Sequence, residues 1–241
     1  MEWSDEGIVL SRRTHGESSV VLELLTRSHG RHAGLVRGGR SRRLRPVLQL
    51  GNKVSATWRA RLSEHLGTLT VELNRPYASL IMEDRSALLG LTSLCELARL
   101  LPERDPHPAL YEAFLLILEQ FDNEHVWPGL VARWEFELLS ELGFRLDLSA
   151  CAATGATKNL NYVSPKSGRA VSDEAAAPYA DRLLALPAFL TNRRCGDISE
   201  RDITDAFVLT GYFLDKHVLG PRDLALPEAR QRLIDRLNRP V

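Results

Sequence analysis

Two hydrophobic rhythms divide this chain: apolar and polar residues alternate up to about residue 75, and a three-to-four spacing follows. Ile8-Val9-Leu10 is a short apolar run, and Ser19–Thr26 is rich in β-branched residues and leucine. Ser28-His29-Gly30 is a turn signal and residues 33–37 resume the apolar pattern, so the two segments predict a hairpin. Gly38-Gly39 breaks that strand, and residues 40–45 are predicted to be a loop. Alternation returns at 53–60, through Val54, Ala56 and Trp58, and at 68–73, through Leu69, Val71 and Leu73. Five or so short strands in about 75 residues suit a small closed barrel of the OB type.

The character changes at Arg75-Pro76. Over residues 84–101 apolar positions fall on nearly every side, among them Ala87, Leu88, Leu91, Leu94, Cys95 and Ala98, which predicts a helix buried in the middle of a bundle. After Pro106 and Pro108, Leu110, Phe114, Ile117, Leu118 and Phe121 keep helical spacing. Trp127, Leu130, Val131, Trp134, Leu138 and Leu142 repeat it, with Gly143 as a C-terminal glycine cap. Residues 147–172 crowd Gly155, Asn159, Asn161, Pro165 and Gly168 into irregular turns and short strands. Ile203, Ala206, Phe207, Thr210, Phe213, Leu214 and His217 form a last helical stripe, with Ser199 as N-cap and Gly220-Pro221 as stop. The expected class is α+β and multidomain: an OB-fold β-barrel over 1–79, then a helical domain over 80–241 carrying an irregular insertion at about 147–172.

Charge sharpens this picture. The chain has 31 basic and 31 acidic residues, yet residues 24–63 hold Arg27, Arg31, Arg37, Arg40, Arg42, Arg43, Arg45, Lys53, Arg59 and Arg61 without one Asp or Glu. Up to Leu80 thirteen Lys/Arg face seven Asp/Glu, so a +6 module precedes a −6 remainder. Arginine pairs bidentately with phosphate, and glycine lets a backbone approach it closely, so this segregation predicts nucleic-acid contact. Trp58 and Tyr77 either stack on bases or fill the barrel core. With so few aromatics, binding should be mostly electrostatic and weakly sequence-specific.

Other chemistry is thin. Gly34 with Gly38-Gly39 has neither the spacing nor the Lys-Ser/Thr ending of a phosphate-binding loop, and no nucleophile elbow occurs. The later carboxylates suit solvated helix faces. His29 and His32 stand three apart in a predicted turn with no Cys or carboxylate near to complete a metal site, so they add polarity to a basic surface. Cys95, Cys151 and Cys195 form no paired framework, which fits a reducing cytoplasm. No apolar run approaches the roughly 20 residues that span a bilayer, and the acidic N-terminus is neither a secretory signal nor a transit peptide.

Three ordered pieces resemble the RecO family of bacterial DNA repair proteins. The first is Gly30-Arg31 followed by Val36-Arg37-Gly38-Gly39-Arg40-Ser41-Arg42-Arg43, then Leu44 to Leu50 with Leu48-Gln49. The second is Phe136-Glu137-Leu138-Leu139-Ser140-Glu141-Leu142-Gly143-Phe144 with Leu146-Asp147-Leu148. The third joins Cys151-Ala152-Ala153-Thr154-Gly155 to the run from Tyr162 to Val171. The resemblance covers nearly the whole chain and implies an OB fold, a helical domain and a zinc-finger-like insertion. It also implies a non-catalytic recombination mediator without cofactor. Such a protein binds single- and double-stranded DNA, anneals complementary strands, and with RecR helps load RecA on strands coated by single-strand-binding protein.

The residues carried over as DNA-binding are Arg31, Arg37, Arg40, Arg42, Arg43, Arg45 and Lys53. For the acidic, apolar-ended tail of single-strand-binding protein the candidates are Arg133 and, more weakly, Arg99; the competing reading of Arg133 is a helix-surface pair with Glu137. Zinc-binding members carry four cysteines that begin with a CxxC. Here Thr154 stands where the second would be, and Ser164 and Ser172 fall in the region of the later pair, so no zinc is expected. The rival reading is an RNA-binding OB module on a helical scaffold, because the arginine pattern does not tell deoxyribose from ribose. A nuclease would need a metal-binding carboxylate cluster that the sequence does not display.

Overall fold

A computed structural model describes residues 1–191 and 197–238; Cys195 lies outside the described residues. β1 (Glu2–His15), β2 (Ser19–Thr26), β3 (Gly30–Val36), β4 (Lys53–Arg59) and β5 (Thr68–Arg75) close into a barrel in the order β1-β2-β3-β5-β4. β1 serves two neighbours: residues 2–8 pair with β4 and residues 7–15 with β2, with a register shift between Val9 and Ser11 where the strand must bend. A short parallel pairing at Leu35 and Thr68 joins β3 to β5. This is the five-stranded OB barrel expected from the sequence.

Strict alternation points Gly30, His32, Gly34 and Val36 of β3 inward. Val9, Leu22, Leu24, Val54, Trp58 and Leu69 fill the interior with them. Gly30 sits at φ +65°, and a Cβ there would stand 2.1 Å from the Asp105 carbonyl, so only glycine fits.

The connection between β3 and β4, residues 37–52, is anchored from within. Its turns are nearly helical, with Arg45 N–H donating to Ser41 O (3.0 Å) and Leu48 N–H to Leu44 O (3.1 Å). Leu48 is fully buried, and Leu44 and Val47 pack on the barrel core. Asn52 clamps the return: its amide donates to Pro46 O (2.9 Å) and Val47 O (3.2 Å), and its side-chain oxygen accepts from Ala78 N–H (3.1 Å).

A single-turn α1 (Tyr77–Leu80) leads to α2 (Arg85–Ala98), which Asp84 caps by accepting from the N–H groups of Ser86 and Ala87. The sequence predicted α2 to lie in the middle of a bundle; it packs on the barrel instead. Its Leu91 meets Gly51, and the Cys95 Sγ lies 3.7 Å from the Val9 carbonyl of β1. Its broad apolar surface covers a sheet, which needs as wide a face as a bundle core does. α3 (Pro108–Glu119) follows. By compactness the chain divides into Met1–Asn123 and Glu124–Val241, so α2 and α3 belong with the barrel, whereas Arg75-Pro76 marks where strand gives way to helix.

The second unit begins with α4 (Trp127–Glu141). Gly143, at φ +88°, closes it in a Schellman arrangement: Phe144 N–H donates to Leu139 O (2.8 Å) and Gly143 N–H to Ser140 O (3.1 Å). A three-stranded sheet of β6 (Leu160–Val163), β7 (Ala170–Ser172) and β8 (Leu184–Ala185) forms the insertion, with α5 (Asp173–Ala176) beside it. Ser199 caps α6 (Glu200–Phe213) in a capping box with Asp202, and a π-helical segment (Leu214–Leu219) extends it towards Gly220-Pro221. α7 (Glu228–Leu237) is held by Arg230, whose guanidinium grips the fully buried Glu135 of α4 at 2.9 Å through two nitrogens and donates to Phe207 O and Thr210 Oγ1 of α6. Among the described residues no helix is long and apolar enough to cross a membrane.

Candidate nucleic-acid interface

The loop after β3 is amphipathic. Leu44, Val47 and Leu48 turn inward, so Arg37, Arg40, Arg42, Arg43 and Arg45 are driven to the surface, and all five are exposed. None of the five forms an ion pair among the described residues. Arg40 spends one hydrogen bond on Glu17 O (2.7 Å), and its N–H donates to Ser18 O (3.1 Å), which ties the loop to the β1–β2 turn. The Arg45 carbonyl accepts from Arg12 (3.4 Å). Gly38, at φ +67°, has open space around it, as close approach by a ligand requires; Gly39 is a packing position, where a Cβ would stand 2.9 Å from Val20.

Two hollows flank this loop. One, of about 350 Å³, is lined by Arg12, Arg13, Arg40 and Arg45, with Val20 and Gly39 at its floor. The other, of about 580 Å³, lies between Arg37, Gly38, Ser41 and Arg43 and the outer ends of β3 and β5. No Asp or Glu lines either one. Arg12 and Arg13 escaped the sequence reading because Glu17 and Glu23 separate them from the acid-free run; only the pairing of β1 with β2 brings them beside Arg40 and Arg45.

Two of the expected contacts are spent elsewhere. Arg31 pairs with Glu23, lies 3.5 Å from Glu103 and donates to Leu101 O (2.7 Å). Glu23 also accepts from Ser11 (2.9 Å) and pairs with Arg99 (2.8 Å). Burial alone would raise the Glu23 pKa, but hydrogen bonds from Arg31 and Ser11 and the nearby Arg99 charge hold it below the usual carboxylate range. Lys53 pairs with Glu6 at 2.9 Å and is largely covered. The acids that neutralise both cations lie on neighbouring strands, where a linear count of charge does not see them.

The aromatic residues are core residues. Trp58 is buried with its Nε1–H donating to Leu66 O (2.9 Å), and Tyr77 is buried as well, so neither presents a face for stacking. The two histidines do not share a polar surface. His29 bonds Asp5 (2.8 Å) and stacks on Trp3, with ring centroids 4.2 Å apart. His32 points into the barrel, edge-on to Trp3 and Trp58, each 4.9 Å away.

In the second unit, Arg133 takes the partner its spacing offers, with Nε 3.0 Å from Glu137, and it also donates to Phe189 O (2.9 Å). It lines a hollow of about 670 Å³ together with Phe136, Arg145, Leu146, Leu148 and Leu190. Arg145 is exposed, and its place behind the Gly143 turn hid it from a reading of helix faces. Arg99 belongs to the first unit and is tied to Glu23.

The insertion replaces metal bonds with hydrogen bonds. Cys151 is buried, and its Sγ accepts from the Ser172 N–H (3.3 Å) and Ser172 Oγ (3.4 Å). Cys151 N–H donates to Ala156 O (2.7 Å), closing a knuckle-like turn around Thr154. One thiol ringed by hydroxyls does not fit a structural zinc ion, and among the described residues no three His, Cys, Asp or Glu stand together as a metal-holding group.

Comparison with known proteins gives a consistent result. Residues 1–77 match the model of the recombination protein O N terminal domain, and residues 82–224 match that of the recombination protein O C terminal domain. A DNA repair protein RecO of Methylobacterium nodulans is 56% identical over 238 residues, covering 97% of each chain. That of Rhodopseudomonas palustris is 52% identical over 242 residues, covering 99% of this chain and 97% of its own. That of Mesorhizobium japonicum is 54% identical over 230 residues, covering 95% and 91%.

Proposed function

The chain belongs to the recombination protein O family, and on that premise we propose that it is a DNA repair protein, a non-catalytic recombination mediator of the cytoplasm that binds and anneals DNA. The observation that carries this reading is the loop 37–45, with five exposed arginines, no acid, and no ion pair to compete with a phosphate. Phosphates that sit on these guanidinium forks lose the mutual repulsion that keeps two strands apart, and no base needs to be read for that to happen. Arg12 and Arg13 extend the same surface. Arg31 and Lys53 stabilise the barrel and are not assigned to DNA.

Work with RecR in placing RecA on coated strands follows from the family reading. The hollow of Arg133 and Arg145 is the candidate receptor for the acidic, apolar-ended tail of single-strand-binding protein: cations stand beside Phe136, Leu146 and Leu148, and of the two acids that line it Glu137 pairs with Arg133 and Asp147 with Arg169. An incoming carboxylate would have to take Arg133 from Glu137, while Arg145 is exposed.

The deciding experiment is annealing of complementary oligonucleotides, with and without a coat of single-strand-binding protein. The wild type should anneal through the coat, and Arg40→Ala/Arg42→Ala/Arg43→Ala should not. In binding titrations the triple variant should lose affinity for all sequences alike and flatten the slope of log K against log salt by roughly 0.7 per lost phosphate contact on single strands. An unchanged slope would move the contact away from this loop, and preference for structured RNA over single-stranded DNA at equal salt would replace DNA with RNA. Arg31→Ala serves as the contrast, since it should lower thermal stability and leave the slope alone.

A further inference from the structure

A third hollow borders the arginine loop, and it differs in kind. It measures about 680 Å³, within the range of ligand-binding clefts, and lies between the loop, the end of β5 and the outer side of α2. Pro46, Leu50, Leu73, Met82, Leu88 and Leu91 make its walls, and the charged residues that line it are Arg42 and Arg45. Leu73, Met82 and Leu88 are 41%, 65% and 38% exposed, so this apolar surface faces solvent. Its two hydroxyls and the Asn52 amide are engaged internally: Ser79 donates to Pro76 O (2.8 Å), Thr92 to Leu88 O (2.8 Å), and Asn52 to the loop, while the exposed Gln49 also lines it.

We propose that this groove docks a short amphipathic segment of a partner protein, one that lays aliphatic side chains on the floor and carboxylates against Arg42 and Arg45. Charge complementarity selects the occupant: two cations without an internal ion pair stand beside an apolar trough that no acid lines. Nucleic-acid bases are a poorer match, because the groove offers no aromatic face and its hydroxyls and the Asn52 amide already donate within the chain. A concave trough of this volume admits a single helix face or extended strand more readily than the flat surface of a second copy. Arg42 and Arg45 also lie on the loop assigned to DNA, so the segment and DNA exclude one another there; this last clause alone rests on the proposed function.

The test uses the full chain and a fluorescein-labelled peptide, Asp-Glu-Leu-Leu-Asp-Glu-Leu-Leu-Asp, followed by fluorescence polarisation. Its counterpart has Lys at every acidic position. The acidic peptide should bind saturably and the lysine peptide should not. Met82→Gln/Leu88→Gln alters two exposed side chains without adding charge beside Arg42 and Arg45, so the fold persists, which an unchanged melting temperature checks. It should weaken the peptide at least about tenfold and leave an oligonucleotide unaffected. Arg42→Ala/Arg45→Ala should weaken both ligands, and unlabelled oligonucleotide should displace the peptide. Equal binding of the peptide by wild type and Met82→Gln/Leu88→Gln overturns the proposal. So does loss of oligonucleotide binding in that variant, which would put bases in the groove, or a wild-type dimer in sedimentation that the variant dissolves. Arg37→Ala/Arg40→Ala/Arg43→Ala, all three outside the groove, separates the two readings: if the salt slope of DNA binding is unchanged in it and peptide binding responds as stated, the DNA assignment fails and the groove stands.

Discussion

His32 is buried in the barrel with both ring nitrogens lacking a hydrogen-bond partner, edge-on to Trp3 and Trp58. Burial, and then the charges of Arg104 and His29, lower its pKa from 6.5 to about 4. The folded protein therefore holds the ring neutral while the unfolded chain takes up a proton below pH 6.5. Stability rises with pH between about 4 and 6.5 and is fully present above that window. Glu23, whose pKa is lowered, contributes with the same sign, but its contribution is lost only as pH falls through a value below 4.5. The expected outcome is an acid loss of up to about 3 kcal/mol through His32. Urea denaturation at pH 7.5, 5.5 and 4.5 measures it, with His32→Leu flattening that limb. An identical pH dependence in His32→Leu would remove the histidine from the account.

At the scale of elements the buried pair of Glu135 and Arg230 ties three helices of the second unit together. It joins α4 to α7, and the same guanidinium reaches Phe207 O and Thr210 on α6. Gly211 exists to admit it, since a Cβ there would stand 2.8 Å from Arg230. Arg230→Ala leaves a carboxylate unpaired in the core and should cost about 3–5 kcal/mol in chemical denaturation. Glu135→Leu/Arg230→Met should be less destabilised than that single variant; equal losses would mean that packing, not the ion pair, holds α7. Nothing in the sequence marks this pair, because 95 residues separate its members. Local signals, by contrast, were legible: the Ser28-His29-Gly30 turn, the Gly143 cap and the Ser199 cap each act within a few residues, and each forms as read. β1 is longer than its apolar run because β4 and β2 hydrogen-bond its polar ends. The exposure of the loop arginines, which form no ion pair among the described residues, was legible in the acid-free run; the pairing of Arg31 with Glu23 and of Lys53 with Glu6 was not, because those partners are set by strand pairing and packing.

Over the whole molecule the positive charge is more local than the halves of the sequence suggest. Thirteen basic residues face seven acidic ones up to Leu80, but from Ile81 to Asn123 three face eight. The first compact unit is thus nearly neutral, with five of its sixteen Lys/Arg on the β3–β4 loop and the acids of α2, α3 and their connections offsetting the excess. α2 also completes the barrel's packing, through Leu91 on Gly51 and Cys95 near Val9. The residues that carry the fold and the residues that carry the field therefore divide the chain at different places. A fragment of residues 1–123 should unfold cooperatively and keep most of the affinity of the full chain for single-stranded DNA, with the same salt slope. A fragment of residues 1–79 keeps every loop arginine but uncovers the apolar flank that α2 occupies, so it should melt at lower temperature or aggregate. Thermal melts and salt titrations of both fragments measure this. If the shorter fragment proved as stable as the longer, α2 would be a passenger on the barrel, and the composition break at Arg75-Pro76 would be the true boundary. If the longer one folded but lost its salt slope, phosphate contacts beyond Asn123 would carry the binding, and the arginine loop would be secondary to them.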